Sequence, residues 1–440
     1  MEEKQQGINV IQQRSLNSIE YSMLPSTSVA VSRVLERQFW QKSRYDPQTE
    51  ALCDMNTGAK FVNAKRSYLT FSVQLKRTND DGGGLANIPV GGFGKGSVCN
   101  LIRRVVVTTR SGVELCRTED MNILSAKTLR YGCSREYLEQ FGELMGYSPS
   151  LASTTDEFSD GTGSSIGATS LSNKRQFIIP LDILSPVFKG DGKTLLPPQL
   201  AAGLRVQITF ESAARALLQD AASTAPTSYV IDDISIMANT TTLVDAWQKA
   251  LNEESASEGL TYSFATWYST TSTLPSATDR INIEQRKAVA RALKAFCVYT
   301  VGADSVATDN MASEPYTFDR VEWRLGSLYP YHQPVTNAAE AYYGAQNSFD
   351  GGVLDCRAGI NAVSFNAFKG KESIAAVTLE RSDIKINGLL NISGLSTNNS
   401  RVLSVDLKLA TPAAESGRIY CFMEHVSMCK AFLDNASLSI

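Results

Sequence analysis

The sequence predicts an all-β chain of two tandem antiparallel sandwiches, each the size of an eight-stranded jelly roll and carrying short helical insertions. Three observations predict it. Apolar and polar residues alternate with period two in both halves, turn-rich stretches separate these runs, and 440 residues exceed one ordinary domain.

The alternation is clearest in Ser67 to Leu75, where Leu69, Phe71, Val73 and Leu75 interleave with Tyr68, Thr70, Ser72 and Gln74. A strand turns successive side chains to opposite faces, so this pattern describes a half-buried strand. It returns in Leu204, Val206, Ile208 and Phe210, and again in Leu403, Val405, Leu407 and Leu409. Further strands are expected at Arg104 to Thr109, Gln176 to Pro180, Tyr229 to Met237, Phe296 to Val301, Phe318 to Leu325, Asp383 to Ile386 and Arg418 to Glu424. Asn79 to Ser97 and Ser148 to Ser172 are rich in glycine, serine, threonine and aspartate, and read as long surface loops.

Helices are expected at Thr118 to Tyr131, with Thr118 as its cap, and at Ser134 to Met145, with Tyr137, Leu138, Phe141 and Leu144 on one face. Thr242 to Glu258 reads as a helical or irregular linker, and Ile283 to Cys297 fits either a helix or a strand. Strands without regular strand–helix alternation indicate antiparallel sandwiches and argue against a parallel α/β sheet. The expected division is a lead-in arm at 1–60, a first jelly roll at 61–240, a linker at 241–260 and a second jelly roll at 261–440. No residue-level repeat between the halves is visible.

Composition excludes several classes. With 43% hydrophobic and 20% charged residues the chain is an ordinary globular one. A net charge of −3 provides no chain-wide positive field, so specific nucleic-acid binding is not expected. Eight cysteines lack any CxxC pair or histidine cluster, which argues against zinc and for buried, reduced thiols. Met1 to Val10 lacks a secretory pattern, and no run approaches the ~18 apolar residues of a membrane span. The sequons at Asn239, Asn391, Asn398 and Asn435 carry little weight in such a chain.

Catalytic constellations fail on inspection. Gly91 to Ser97 (GGFGKGS) departs from a phosphate loop, because the leading glycine would fall at Pro89 and Lys95 is followed by Gly96. His332 and His425 are the two histidines and stand over ninety positions apart. Asp232 with Asp233 and Glu253 with Glu254 read as solvated turns. No catalytic, cofactor or metal site is expected, and the chain is read as a non-enzyme. Trp323, Tyr329, Tyr331, Tyr342 and Tyr343 are read as core or subunit interface in preference to a sugar platform. Ser15 to Trp40, with Ile19, Leu24, Val34 and Leu35, either covers a partner or packs on its own first module.

Several segments in order carry a resemblance. They are SYLTFSVQL, Asn100 to Ala126 (NLIRRVVVTTRSGVELCRTEDMNILSA), RQFIIPLDI at Arg175 to Ile183, Leu195 to Leu217, and above all Arg320 to Phe349 (RVEWRLGSLYPYHQPVTNAAEAYYGAQNSF). Together, over residues 67 to 440, the chain resembles the double jelly-roll major capsid proteins of virophages and polinton-like viruses, relatives of the adenovirus hexon lineage. The resemblance implies a homotrimeric, pseudo-hexameric capsomer tiling an icosahedral shell, and a place in the virion after assembly in the host cell. Expected partners are the chain itself, neighbouring capsomers and minor or penton capsid proteins, with an internal membrane as a further candidate. Ile19, Leu24, Val34, Leu35, Tyr331, Tyr342 and Tyr343 are the expected contact residues. The alternatives are a carbohydrate-binding β-sandwich protein and a minor capsid component.

Overall fold

Period-two patterning in both halves becomes two stacked-sheet units with the same strand order. The structure, a computed structural model, describes residues 30–76, 91–93, 97–146, 174–190, 195–219, 227–349, 363–381, 394–398, 401–432 and 436–439. The first unit uses β1 (Ala30–Phe39), β2 (Glu50–Asp54), β3 (Tyr68–Lys76), β4 (Ile102–Thr108), β5 (Glu114–Thr118), β6 (Lys174–Pro180), β7 (Arg205–Phe210) and β8 (Ser228–Leu243). One sheet runs β1-β8-β3-β6 and the other β2-β7-β4-β5, all pairs antiparallel.

The second unit repeats this order. Its strands are β9 (Leu260–Leu274), β10 (Arg280–Gln285), β11 (Ala292–Val301), β12 (Phe318–Leu325), β13 (Ala375–Thr378), β14 (Leu403–Leu409) and β15 (Gly417–Ala431). They form sheets β9-β15-β11-β13 and β10-β14-β12. An isolated bridge from Val321 to Val335 stands where the first unit has β5. In the first unit the first, eighth, third and sixth strands share one sheet and the second, seventh, fourth and fifth the other; the second unit keeps this order with the isolated bridge in place of the fifth strand. That interleaving of chain-distant strands is the jelly-roll winding.

Alternating burial follows the alternating sequence. Leu69, Phe71, Val73 and Leu75 are each at most 1% exposed, while Ser72 and Gln74 on the other face are half-buried. Burying a side chain of this kind stabilises by ~1.5–3 kcal/mol, so shifting the register by one residue would forfeit the whole set. Val206, Ile208 and Phe210 fill the same core from β7, and Leu403, Val405, Leu407 and Leu409 fill the second one from β14.

Several segments depart from the sequence reading or close a choice it left open. Ala30–Phe39 and Glu50–Asp54, within the stretch read as a lead-in, are the first and second strands of the first sandwich. Ile283 to Cys297 holds no helix: it is the end of β10 and the start of β11, because Ile283 and Ala295 pack into a sandwich core. The helix expected from Thr118 is α1 (Met121–Gly132), with Asp120 at its start in left-handed backbone of φ 49°, while Thr118 closes β5. Ser134 does cap α2 (Arg135–Gln140), its side chain accepting from the Tyr137 amide, but Leu138 alone of the expected face is fully buried. Glu253 and Glu254 lie on α3 (Asp245–Ser257), the helix that joins the two sandwiches, and not in a turn.

Outside the described residues fall the expected strand Asp383 to Ile386, the loop Ser148 to Ser172 and most of Asn79 to Ser97. The seven described cysteines are free thiols, and six of them are buried. Asn239 of the first sequon is buried too and accepts a hydrogen bond from Arg33.

In the second unit the helix α4 (Ala338–Ser348) starts at Asn337, whose Oδ1 accepts from the Glu340 amide at 2.8 Å. Replacing this cap with alanine leaves that amide unpartnered. Asn337→Ala is expected to lower unfolding free energy by ~1 kcal/mol, read from the denaturation midpoint.

Candidate functional site

The chemistry of this chain is concentrated where the two sandwiches meet. The second unit turns the outward face of β9-β15-β11-β13 toward the first unit, and that face is aromatic: Trp267, Phe296, Tyr420 and Phe422 are all buried. They belong to one continuous apolar cluster with Ile123, Leu124 and Tyr131 of α1. Phe296 meets Trp267 edge-on at 5.5 Å and Phe422 at 5.1 Å between ring centres. The second unit keeps a separate core of its own around Trp323, Val405 and Leu407.

Polar contacts set the register of this junction. Tyr262 donates to the Val187 carbonyl at 2.7 Å, and Tyr131 donates to the Glu372 carbonyl at 2.6 Å. Gly190, at φ +55°, passes beneath Tyr262 so closely that a Cβ would lie 2.5 Å from its hydroxyl. Arg215 donates to the Tyr420 hydroxyl at 2.7 Å and covers its ring.

Beneath the rings lies a buried ion cluster. Lys127 and Arg130 of α1 both pair with Glu372 of the second unit, at 3.2 Å and 2.9 Å, and all three side chains are 1–2% exposed. Burial pulls the Lys127 ammonium down, and Glu372 opposes that shift. Ser313 accepts a further bond from Lys127. None of these residues stood out in the sequence. Lys127 and Arg130 lie in a mixed stretch and Glu372 follows Lys369 and Lys371 in a basic one, and only the long-range approach of α1 to the segment before β13 brings them together.

A cavity of about 540 Å³ opens at the same junction, lined by Met121, Leu124, Ile183, Trp267 and Phe349 with Asp182 and Glu424 at its polar side. Burial raises the Asp182 carboxyl, opposed by Lys189. Glu424 is held by Lys294 at 3.0 Å. His425 is fully buried in β15, whereas His332 is exposed in the turn after β12. Asp232 and Asp233 are bridged by Lys174, at 3.5 Å and 3.0 Å, at a bulge in β8. Among the described residues no three metal-ligating side chains converge.

The expected contact residues separate. Ile19 and Leu24 lie outside the described residues. Val34 and Leu35 sit on opposite sides of β1, 48% and 44% exposed. Tyr343 on α4 is 50% exposed, but its neighbour Tyr342 donates to the Val363 carbonyl and packs on Phe365 and Phe368. Tyr331 packs against the second core, where Trp323 is buried. The five aromatics therefore form no platform. Tyr329, 47% exposed with Arg324 over its ring, shares the surface character of Tyr343.

Two jelly rolls in one chain, docked through the outward face of the second one's first-strand sheet, define a double jelly-roll protein. No protein-family model and no curated protein matches the sequence. Solved structures do. The chain is similar to a quasi-atomic model of the PBCV-1 virus capsid, with a TM-score of 0.61 at 10% identity over 96% of this chain and 99% of that one. The Faustovirus major capsid protein matches with a TM-score of 0.60 at 8% identity over 94% of each chain. The mavirus major capsid protein matches with 0.51 at 11% identity, over 96% of this chain and 93% of that one. At these identities the likeness establishes the double jelly-roll fold over nearly the full length.

Proposed function

We propose that this chain is a viral major capsid protein, a shell component of the virion without catalytic activity. The observation that carries the reading is the pair of equally wound jelly rolls locked by an aromatic, ion-paired junction, in a chain similar end to end to capsid proteins. Two such units fused rigidly present two copies of one architecture at a fixed angle, which is what a closed ring of alternating units requires. We divide the chain into a first jelly roll at 61–240, a linker at 241–260 and a second at 261–440, with 1–60 leading in and supplying β1 and β2. Its partners are further copies of itself within a homotrimeric capsomer, then neighbouring capsomers and minor or penton capsid proteins, with an internal membrane as a further candidate beneath the shell.

The test is the mass and outline of the purified protein. It is expected to run near three times the monomer mass of 47.9 kDa and to show hexagonal outlines in electron micrographs. A protein that stays monomeric at micromolar concentration would overturn the reading.

A further inference from the structure

We infer that Cys297 and Cys421 form a modification site, a cross-strand thiol pair that a low-molecular-weight disulfide converts to a bond clasping β11 to β15 inside the second sandwich. The inference stands apart from the capsid reading and survives if that reading fails.

Strand register carries the argument. Cys297 of β11 and Cys421 of β15 are directly opposed antiparallel partners. Opposed residues on neighbouring strands turn their side chains to the same face of the sheet, so the two thiols point together. The next pairs on that face are Ala295 with Met423 and Tyr299 with Ile419, and all six residues belong to the second apolar core. Opposed Cα atoms of an antiparallel pair stand about 4.5 or 5.5 Å apart, according to whether the pair exchanges hydrogen bonds, and a disulfide spans Cα separations of about 4.4–6.8 Å. Either class of site falls within that span. The other described strand cysteines lack such a partner: Cys53 opposes Val206, Cys116 opposes Val107, and Cys429 opposes Tyr262 and Leu438.

Both cysteines are free thiols, 1% and 0% exposed. Burial holds the Cys297 thiol well above its ordinary range, and a hydrogen bond with Cys421 and the charge of Cys421 push the same way. Thiol–disulfide exchange needs an accessible thiolate, so the closed core is slow to react, and the reaction waits until the strands part. The other edge of β11 is lightly held: β13 is four residues long and its ladder ends where Ala375 opposes Cys297. Once the sheet opens, one cysteine thiolate attacks a sulfur of the small disulfide, whose other sulfur leaves as a thiolate. The second cysteine then displaces the remaining small thiol from the mixed disulfide. Two cysteine thiols lose two electrons and two protons, and one small disulfide becomes two thiols. The new bond closes a loop of more than a hundred residues and opposes the strand separation that admitted the oxidant. The state of the second sandwich is thereby set by the medium in which its strands part: thiols in a reducing compartment, a bridge in an oxidising one.

The test is to incubate the purified full chain with glutathione disulfide at urea concentrations below the unfolding midpoint, quench with acid, alkylate, and digest without reduction. Mass spectrometry is expected to find one dominant cross-linked pair of peptides, holding Cys297 and Cys421, formed faster as urea rises. The bridged chain, lighter by two hydrogens, is expected to keep its circular dichroism and to melt several degrees above the reduced chain, with dithiothreitol in urea reversing both changes. Cys297→Ala is expected to show neither the cross-link nor the oxidant-dependent rise, and should that variant not fold, the peptide map of the unaltered chain still decides. Thiols at 297 and 421 that stay unmodified up to the midpoint would overturn the inference. So would glutathione adducts or other cross-links formed in place of this pair, or a bridged chain that melts no higher than the reduced one.

Discussion

Glu372→Gln is expected to destabilise the folded chain by ~3–5 kcal/mol, measured as the drop in unfolding free energy in denaturant. The carboxylate is 1% exposed and is paired with both Lys127 and Arg130, themselves 1% and 2% exposed. A neutral amide would leave two cations in a low-dielectric interior without counter-charge. Desolvation, already the largest influence on Lys127, would then be unopposed by Glu372. The loss is asymmetric. Replacing Lys127, Arg130 and Glu372 together with apolar residues of similar volume removes the desolvation cost along with the attraction, so that variant is expected to recover most of the lost stability. Because the cluster joins α1 to the segment before β13, the two jelly rolls are also expected to unfold in one transition. Separate transitions in the unaltered chain would show that the junction does not couple them.

Acid is expected to unfold the protein through His425. Burial within β15 holds its imidazole down to about 3, with the charge of Lys287 pushing the same way. The folded-state value lies below the unfolded one near 6.5, so the stabilising contribution is fully present above pH 6.5 and is lost as pH falls from there toward 3. Between those limits the unfolded chain takes up a proton that the folded chain refuses, at a cost of ~1.4 kcal/mol per pH unit. A shift of this size corresponds to a loss on the order of 4–5 kcal/mol at pH 3. His425→Gln, with no group to titrate, is expected to flatten the stability curve between pH 6.5 and pH 4 relative to the unaltered chain. Parallel curves for the two would assign the acid sensitivity to other groups.

The sheet pattern was readable because a strand writes its burial directly into sequence. Ser67 to Leu75 alternates strictly, and β3 buries the alternate set it predicts. Phe318 to Leu325 matches β12 residue for residue. The segments left open or misread have a common cause, since local pattern underdetermines a residue whose surroundings come from elsewhere. Ile283 to Cys297 has helix-compatible spacing, yet the pairing of β10 with β14 and β11 with β15 supplies backbone partners that no local helix could outcompete. Ala30–Phe39 mixes Arg33, Glu36 and Arg37 with its apolar residues, and so stayed open between covering a partner and packing on its own first module; β8 supplies the ladder that makes it a strand of that module. The repeat of the winding was invisible for a related reason. It lies in the order of strand pairing, which both halves share, while their side chains diverge: the outward face is aromatic on β11 and β15 but polar on β3.

By itself the sequence determined that this chain is built of antiparallel strands in both halves, because side-chain periodicity is a local property. Only the tertiary structure decided how the two jelly rolls meet. Lys127, Arg130 and Glu372 stand more than two hundred positions apart in part, and their union depends on a chain path that no short window records. The same holds for the surface: Leu35 and Leu69 are chemically alike, but the partner strands and sheets around each leave one 44% exposed and the other 1% exposed.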